Sequence, residues 1–408
     1  MSCEESEMTL ISLNDDVLLH IFKFLNWIDS INLAATCTRM NGVKYYEVKK
    51  NQEFDLKEYL EKATVPIEEL LPVIGPYLQV VKITGQVISE SFMEKCVNVR
   101  SLKIDECNSQ NTAITLNKWM KTLTIESLFI GQYFETYVKE LLDGISGLKT
   151  FTYECYWKLP RNFLLKNSTI QHLLLIPLDY NLSPLRALDS LQSLYIKSSP
   201  HMIRGLLNAI QQYVKFDNLK EFSMHCLDDR WNAGDADAWN NFAENLAKRA
   251  KLENLNLIGG VFFIYKATLS ILNLFDLKSL CLDVGFTWHD FSTMLQASVA
   301  PRLKYVKLQW PLEYCCSEKI GNILQIWTNV EAICLQDIDG PNHQLQFDDE
   351  FFSDIFKILN RRLGLRIHMS SNEICLNFIS KRYYIIKKRQ SCACKDSFQL
   401  SDTVTCFD

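Results

Sequence analysis

The stretch VRSLKI, residues 99–104, decides the fold because its pattern returns along most of the chain. Apolar residues occupy its first, fourth and sixth positions, and the same six-residue frame occurs eleven times at intervals of about 25 residues. The frames begin at Leu78, Val99, Ile125, Leu148, Ile170, Leu191, Leu219, Leu252, Leu277, Leu303 and Val330, with a blurred twelfth copy near Gly364. A repeat of this period predicts an array of supersecondary units.

The second position of the frame is an independent test, because only apolar positions define the frame. It is polar in all eleven copies, although 48% of the chain is hydrophobic. The residues are Gln79, Arg100, Glu126, Lys149, Gln171, Gln192, Lys220, Glu253, Lys278, Lys304 and Glu331. A strand with one buried face produces this alternation, so each frame predicts a short β-strand.

Helical spacing separates several of the frames. The clearest case is Trp239, Phe242, Ala243, Leu246, Ala247 and Ala250, and a second is Ile203, Leu206, Leu207, Ile210 and Val214. A strand frame L-x-x-L-x-L followed by a helix resembles the leucine-rich repeat family. The resemblance implies an α/β solenoid over residues 76–370, with a parallel inner sheet and outer helices. The family's Asn or Cys at the ninth position is matched only by Cys107.

The N-terminal segment LNDDVLLHIFKFLNWIDSINLAATCTRM, residues 13–40, has a different pattern. Apolar residues at 17, 18, 21, 22 and 25 predict a helix, and Asn14 is a suitable N-cap in front of the acidic pair Asp15 and Asp16. A second helix is expected after Asp29, and a third from Thr38 to Tyr46. The segment therefore predicts a small three-helix head.

This head, residues 8–50, resembles the F-box family. The matching residues are Leu13, Val17, Leu18, Ile21, Phe22, Leu25, Asp29, Leu33, Cys37 and Arg39. Asn14 replaces the usual Pro, and Asp16 replaces the usual Glu. The resemblance implies adaptor contacts from Leu13, Asn14, Asp16, Val17, Leu18, Ile21, Phe22, Leu33 and Cys37. The alternative interpretation is that the head only caps the end of the repeat array, since terminal repeats need a polar outer face.

The leucine-rich repeat resemblance also implies a binding surface, formed by the positions that flank the buried strand residues. Its candidates are aromatic, basic and apolar: Lys103, Phe129, Leu174, Tyr195, His225, Tyr305 and Trp310. The alternative is that the C-terminal tail or a loop covers some of them. Residues 51–75 are expected to form a helical linker or the helix of a first repeat, and residues 371–408 a C-terminal tail.

Composition and motifs argue against other classes of protein. The net charge of −5 gives no bulk attraction to nucleic acid, and Lys266 interrupts the apolar run Leu257 to Phe275, so no membrane partner is expected. No phosphate loop, nucleophile elbow or H-E-x-x-H motif is present, and Cys392, Cys394 and Cys406 lack an evident fourth zinc ligand. We expect a non-enzymatic protein without cofactor or metal, in the cytoplasm or nucleus.

An F-box followed by leucine-rich repeats resembles the substrate receptors of SCF-type ubiquitin ligases. That resemblance implies a Skp adaptor and a cullin as partners of the head, and a protein substrate on the repeats. The alternative is a non-enzymatic leucine-rich repeat scaffold whose head does not bind the adaptor.

Overall fold

The computed structural model describes most of the chain in segments. They are residues 13–25, 27–34, 36, 53–134, 137–155, 159–160, 162–176, 182–198, 202–226, 233–249, 251–258, 270–271, 273–283, 292–293, 295–296, 300–309, 317–336, 349–362, 365–370, 374–379 and 382–387. Contacts within the chain divide it into unit 1, residues 1–170, and unit 2, residues 171–408. The predicted array of residues 76–370 therefore runs through both units.

Unit 1 combines parallel strands with helices. Its strands are β1 Glu53–Asp55, β2 Val80–Thr84, β3 Ser101–Cys107, β4 Ser127–Phe134 and β5 Thr150–Tyr153, and they pair in sequence order. Its helices are α1 Asp15–Phe24, α2 Trp27–Ala34, α3 Leu56–Lys62, α4 Ile67–Ile74, α5 Glu90–Lys95, α6 Gln110–Thr122, α7 Val138–Leu142 and α8 Phe163–Lys166, and a 3-10 turn covers Gly75–Tyr77.

Unit 2 has the same construction. The strands β6 His172–Leu175, β7 Ser193–Ser198, β8 Glu221–Cys226, β9 Asn254–Ile258, β10 Ser279–Asp283, β11 Tyr305–Gln309, β12 Ala332–Gln336 and β13 Arg366–Ser370 are parallel and pair in order. The helices are α9 Ile203–Tyr213, α10 Ala233–Arg249, α11 Ser317–Ile326 and α12 Asp349–Arg361, with 3-10 turns at Ser183–Ala187 and Phe216–Asn218. The predicted α/β class with parallel strands and helices is thus confirmed.

The core of each unit is built from the apolar positions of the frame. The first, fourth and sixth residues are buried in all eleven copies, from Leu78, Val81 and Ile83 to Val330, Ile333 and Leu335. The predicted helical stripes face the same core, and Trp239, Phe242 and Leu246 of α10 are fully buried. Burying each such side chain contributes about 1.5 to 3 kcal/mol, so the repeated frame supplies a large share of the driving force for folding.

The polar second positions lie just before the strands, and backbone hydrogen bonds link each of them to the next copy. The carbonyl of Arg100 accepts backbone hydrogen bonds from Glu126 at 2.8 Å and Ser127 at 3.0 Å, and this arrangement recurs between later copies. The side chains along the ladder pair as well, as in Glu126–Lys149 at 2.9 Å and Lys278–Glu253 at 2.6 Å. The hydrogen bond and charge of Lys149 lower the pKa of Glu126. The uniformly polar position is therefore explained by cross-repeat pairing at an exposed edge.

Asparagines link successive copies at the same edge. The amides of Asn98, Asn218 and Asn329, each just before a frame, donate to carbonyls of the preceding copy. Those acceptors are Pro76 at 2.6 Å, Asp189 at 2.9 Å and Pro301 at 2.6 Å. An asparagine directly before the frame is visible in the sequence at these three copies, but that position is not part of the L-x-x-L-x-L frame.

Asn167 is fully buried, and its side chain bonds to more backbone groups than these three asparagines do. The side-chain oxygen of Asn167 accepts from the N–H of Leu148 at 3.2 Å, and its amide donates to the carbonyls of Ile145 and Phe163, both at 3.0 Å. The amide of Asn117 similarly donates to the carbonyl of Leu141 at 2.7 Å. These two asparagines therefore satisfy buried loop backbone between successive copies of the frame.

We predict that Asn167→Ala lowers the free energy of unfolding of unit 1 by about 1 to 3 kcal/mol, because it leaves buried backbone groups without partners. Asn218→Ala removes one exposed hydrogen bond and should cost about 1 kcal/mol or less. Urea unfolding of the full chain, followed by circular dichroism, measures both. Equal effects of the two substitutions would contradict the structural role of Asn167.

Two strand regions differ from the sequence expectation. Strand β1 lies inside the expected helical linker of residues 51–75, and its frame was hidden because Asn51 is polar at the first position. The first part of the expected tail forms β14 Ile374–Ile379 and β15 Arg382–Lys387. Strand β14 pairs antiparallel with β13, and β15 pairs antiparallel with β14. Their β-branched and aromatic content favours strands without following the repeat frame.

Candidate functional site

Helix α1 has one buried and one exposed apolar face. Leu18 and Phe22 are buried, and Leu13, Leu19, Leu25 and Leu33 pack against them. On the adjacent side of the helix Val17 is 41% exposed and Phe24 is 77% exposed, with the half-buried Ile21 spaced between them. Residues 17, 21 and 24 follow the i, i+4, i+7 spacing of one helical stripe. We call Val17, Ile21 and Phe24 the head face.

The N-terminus of α1 is fixed by its predicted cap. The side chain of Asn14 accepts a hydrogen bond from the N–H of Val17 at 2.9 Å, and Asp15 and Asp16 occupy the first turn. The cap satisfies one of the four free N–H groups at the helix start, and the carboxylates favour the positive end of its dipole. The expectation that Asn14 starts the helix is confirmed.

The described residues among the implied adaptor contacts separate into three groups. Asn14, Asp16 and Val17 are exposed, and Leu13, Ile21 and Leu33 are half-buried. Leu18 and Phe22 are core residues of the head, which corrects their assignment as contacts, because the helix needs one face for its own packing. Cys37 and the expected third helix lie outside the described residues. Phe24 was missed, although its spacing from Val17 and Ile21 places it on the same stripe.

The head is attached to the rest of unit 1 through α2. The side-chain oxygen of Asn32 accepts hydrogen bonds from both the N–H and the hydroxyl of Thr64, each at 3.1 Å. Ile28 and Ile31 of α2 are buried. The head therefore has contacts of its own with the loop between α3 and α4.

The fifth position of the frame forms a continuous line of side chains across the strands of each unit. In unit 1 the paired residues are Asp55, Lys82, Lys103, Phe129 and Thr152. In unit 2 they are Leu174, Tyr195, Ser223, Asn256, Cys281, Lys307, Cys334 and His368. These residues lie on the strand face opposite the core, and we call them the strand row.

The candidate substrate-binding residues differ in how exposed they are on this face. Lys103 and Phe129 are paired neighbours in unit 1, and the hydroxyl of Tyr195 lies 3.5 Å from Nδ1 of His225 in unit 2. These four and Tyr305 are half-buried. Leu174 is only 8% exposed, so the structure does not present it as a contact, and Trp310 lies outside the described residues.

Charged residues pair along the strand row of unit 1. Nζ of Lys82 lies 3.1 Å from Asp55 and 3.3 Å from Asp105, while Lys103 pairs with Glu53 at 2.5 Å. Asp105 sits at a bulge in β3, and a Cβ at Gly131 would come within 2.8 Å of its backbone, so that approach requires glycine. Burial alone would lower the pKa of Lys82, but the two carboxylates raise it above its usual value.

We predict that Lys82→Gln lowers the free energy of unfolding by about 1 to 2 kcal/mol, because two half-buried carboxylates lose their cation. Lys103→Gln should cost less than about 1 kcal/mol, because its pair is more exposed. Since the folded state raises the pKa of Lys82, the contribution is complete at pH 7 and is lost as the pH rises above the lysine's usual 10.5. Urea unfolding at pH 7 and pH 11 measures it. An equal loss from both substitutions would contradict the special position of Lys82.

The strand row of unit 2 contains a buried cysteine and histidine pair. Sγ of Cys334 lies 3.1 Å from Nδ1 of His368, and both side chains are buried. His225, by contrast, is half-buried, and burial together with the charge of Lys197 lowers its pKa. In the described part of the chain, no group of three or more His, Cys, Asp or Glu side chains is arranged to hold a metal. Cys392, Cys394 and Cys406 fall outside the described residues.

A polar groove of about 550 Å³ lies at the start of the strands in unit 2. Its walls carry both signs of charge, and the described pairs Lys278–Glu253 at 2.6 Å and Arg302–Asp276 at 2.7 Å compensate one another. The groove therefore lacks a net field that would select an ion. Within the described segments, no helix is both long and apolar enough to cross a bilayer.

No protein-family model matches the sequence, and no curated protein matches it. Among solved structures, one similar chain is a Bacteroides fragilis protein determined as a structural genomics target. The alignment covers 80% of this chain and 83% of the other, at 12% sequence identity and a TM-score of 0.35. A likeness at that level carries no argument about function.

Proposed function

We propose that this chain is the substrate-recognition subunit of an SCF-type ubiquitin ligase. In this proposal the N-terminal helices are an F-box that binds a Skp adaptor and, through it, a cullin. The parallel strands and helices that follow are a leucine-rich repeat solenoid whose strand row holds a protein substrate for ubiquitination and proteasomal degradation.

The observation that carries the proposal is the head face. Val17, Ile21 and Phe24 form an apolar stripe with two strongly exposed members, while the neighbouring stripe of Leu18 and Phe22 already packs the core of the head. Exposed apolar side chains gathered on one stripe are typical of a protein interface. Val17 and Ile21 are also F-box pattern residues, so the resemblance and the exposure point to the same surface.

The function requires no bond chemistry from this chain. A receptor that holds a substrate near a ubiquitin-carrying enzyme raises the effective concentration of the reacting groups. The strand row suits the holding role, because it places Lys103 and Phe129 in unit 1 and Tyr195 in unit 2 on the strand face opposite the core, and His225 lies on the same face beside Tyr195.

The second candidate is a non-enzymatic leucine-rich repeat scaffold whose head does not bind the adaptor. The two hydrogen bonds between Asn32 and Thr64 favour it, because they attach the head to the repeats as a cap would be attached. The replacement of the usual Pro by Asn14 favours it too. The head face distinguishes the two functions, since a cap has no need of an exposed apolar stripe.

We predict that Val17→Asp and Phe24→Asp each abolish binding to the Skp adaptor. A charge at either position would have to be desolvated in the interface, which is far more costly than leaving it in water. Asp at position 17 is compatible with α1, because it faces solvent near the positive end of the helix dipole. The full chain is co-expressed with the adaptor and the complex is measured by size-exclusion chromatography.

Val97→Asp is the matched control, because Val97 is 55% exposed in the same unit but lies outside the head. It should leave the complex intact, and circular dichroism should show all three variants folded. A folded wild-type chain that forms no complex, or a complex that survives both head substitutions, would overturn the proposal in favour of the scaffold.

A further inference from the structure

A pocket of about 500 Å³ lies between α7 and α8 of unit 1. Its apolar lining consists of Leu142, Leu159, Pro160 and Phe163. Leu142 and Phe163 belong to the core, and the other two residues are half-buried. Ligand pockets in proteins typically have volumes of about 300 to 1,000 Å³ and mostly apolar walls. The pocket is therefore large enough to take an apolar side chain of a partner, and none of its lining residues belongs to the head face or the strand row.

Contacts within unit 1 hold the walls of the pocket in place. The side-chain amide of Asn167 donates to the carbonyl of Ile145, which follows α7, and to that of Phe163 in α8, both at 3.0 Å. The ring of Phe163 packs on the ring of Phe151, with the two centroids 4.7 Å apart. Gly144, in the turn after α7, has a φ of 73°, which favours glycine. Because both walls are fixed before anything binds, filling the pocket costs little ordering entropy.

Two lysines border the pocket without an ion pair. Lys139 of α7 and Lys166 of α8 line it and are exposed, and neither pairs with a carboxylate in the described part of unit 1. The acidic lining residue, Asp143, already has Nζ of Lys121 at 3.8 Å. Glu140 is half-buried and is not among the lining residues. The pocket thus places positive charge around an apolar floor, in a chain whose net charge is −5.

We propose that this pocket binds an acidic segment of a partner protein. One aromatic side chain of the segment enters the pocket, and carboxylates that flank it in the segment pair with Lys139 and Lys166. The inference gives the chain an interaction surface beside the head face and the strand row, and it does not depend on the ligase proposal.

The two lysines select this occupant. They lie on different helices, so pairing both of them requires two carboxylates, which an acidic peptide supplies on either side of its anchor. A fatty acid has one carboxylate and would leave one lysine unpaired. An aromatic anchor is favoured over an aliphatic one, because a ring buries a large apolar area and its face attracts a nearby ammonium group. A basic segment would be repelled by the same lysines.

The test measures the binding of fluorescein-labelled peptides to the full chain by fluorescence polarisation. The probe is Gly-Glu-Glu-Phe-Glu-Glu-Gly, and two comparison peptides replace Phe by Ser or all four Glu by Gln. We expect each comparison peptide to bind at least about tenfold more weakly, since the first loses the anchor and the second loses the charges. Added salt should weaken the binding of the probe and leave that of the Gln peptide unchanged.

Charge reversal at the pocket tests the two lysines directly. The double variant Lys139→Glu with Lys166→Glu should bind the probe at least about tenfold more weakly, and it should gain affinity for a peptide with Lys in place of Glu. Lys95→Glu is the matched control, because Lys95 is an exposed lysine of α5 in the same unit and does not line the pocket. It should leave probe binding nearly unchanged, and circular dichroism should show both variant proteins folded.

Equal binding of the Phe and Ser peptides would overturn the inference, as would unchanged probe binding by the double variant. Dodecanoate is the competing small amphiphile. If it bound more tightly than the probe and lost its affinity in the double variant, the pocket would belong to an amphiphile instead. Failure of the ligase proposal is a separate result, because it is measured by adaptor binding at the head face.

Discussion

Burial of the three apolar positions in every frame is the constraint on which the structure depends. A single strand and helix of this size cannot enclose an apolar face, so each copy is stable only when its neighbours cover it. Strand pairing then follows sequence order, because the next copy along the chain is the nearest surface available. Every other feature uses backbone and side chains that this packing has already positioned.

Hydrogen bonds at the exposed edge of the strands satisfy backbone groups that stacking alone would leave without partners. The segments that lead into the strands carry polar backbone that the core cannot satisfy. Backbone bonds to the second position, paired charges such as Glu126 with Lys149, and the asparagine amides together satisfy it. Exposed ion pairs contribute little individually, so this edge fixes the alignment of copies more than it adds stability.

The sequence predicts the parts of the fold that repeat. The frame identifies the buried residues of all eleven copies, and Asn14 marks the start of α1, because both depend on short-range spacing that is independent of tertiary structure. It does not predict β1, whose first position is Asn51, or the hairpin of β14 and β15, which follows no frame. The burial of Leu174 could not be predicted from the sequence either, since its exposure is set by neighbouring strands and not by its own position in the frame.

The two candidate surfaces illustrate how a repeat fold acquires a specific function. Core positions must stay apolar in every copy, so differences between copies collect on the strand row and at the chain's N-terminal head. Phe129, Tyr195, Ser223 and Asn256 occupy equivalent places in their strands yet offer aromatic, hydroxyl and amide groups.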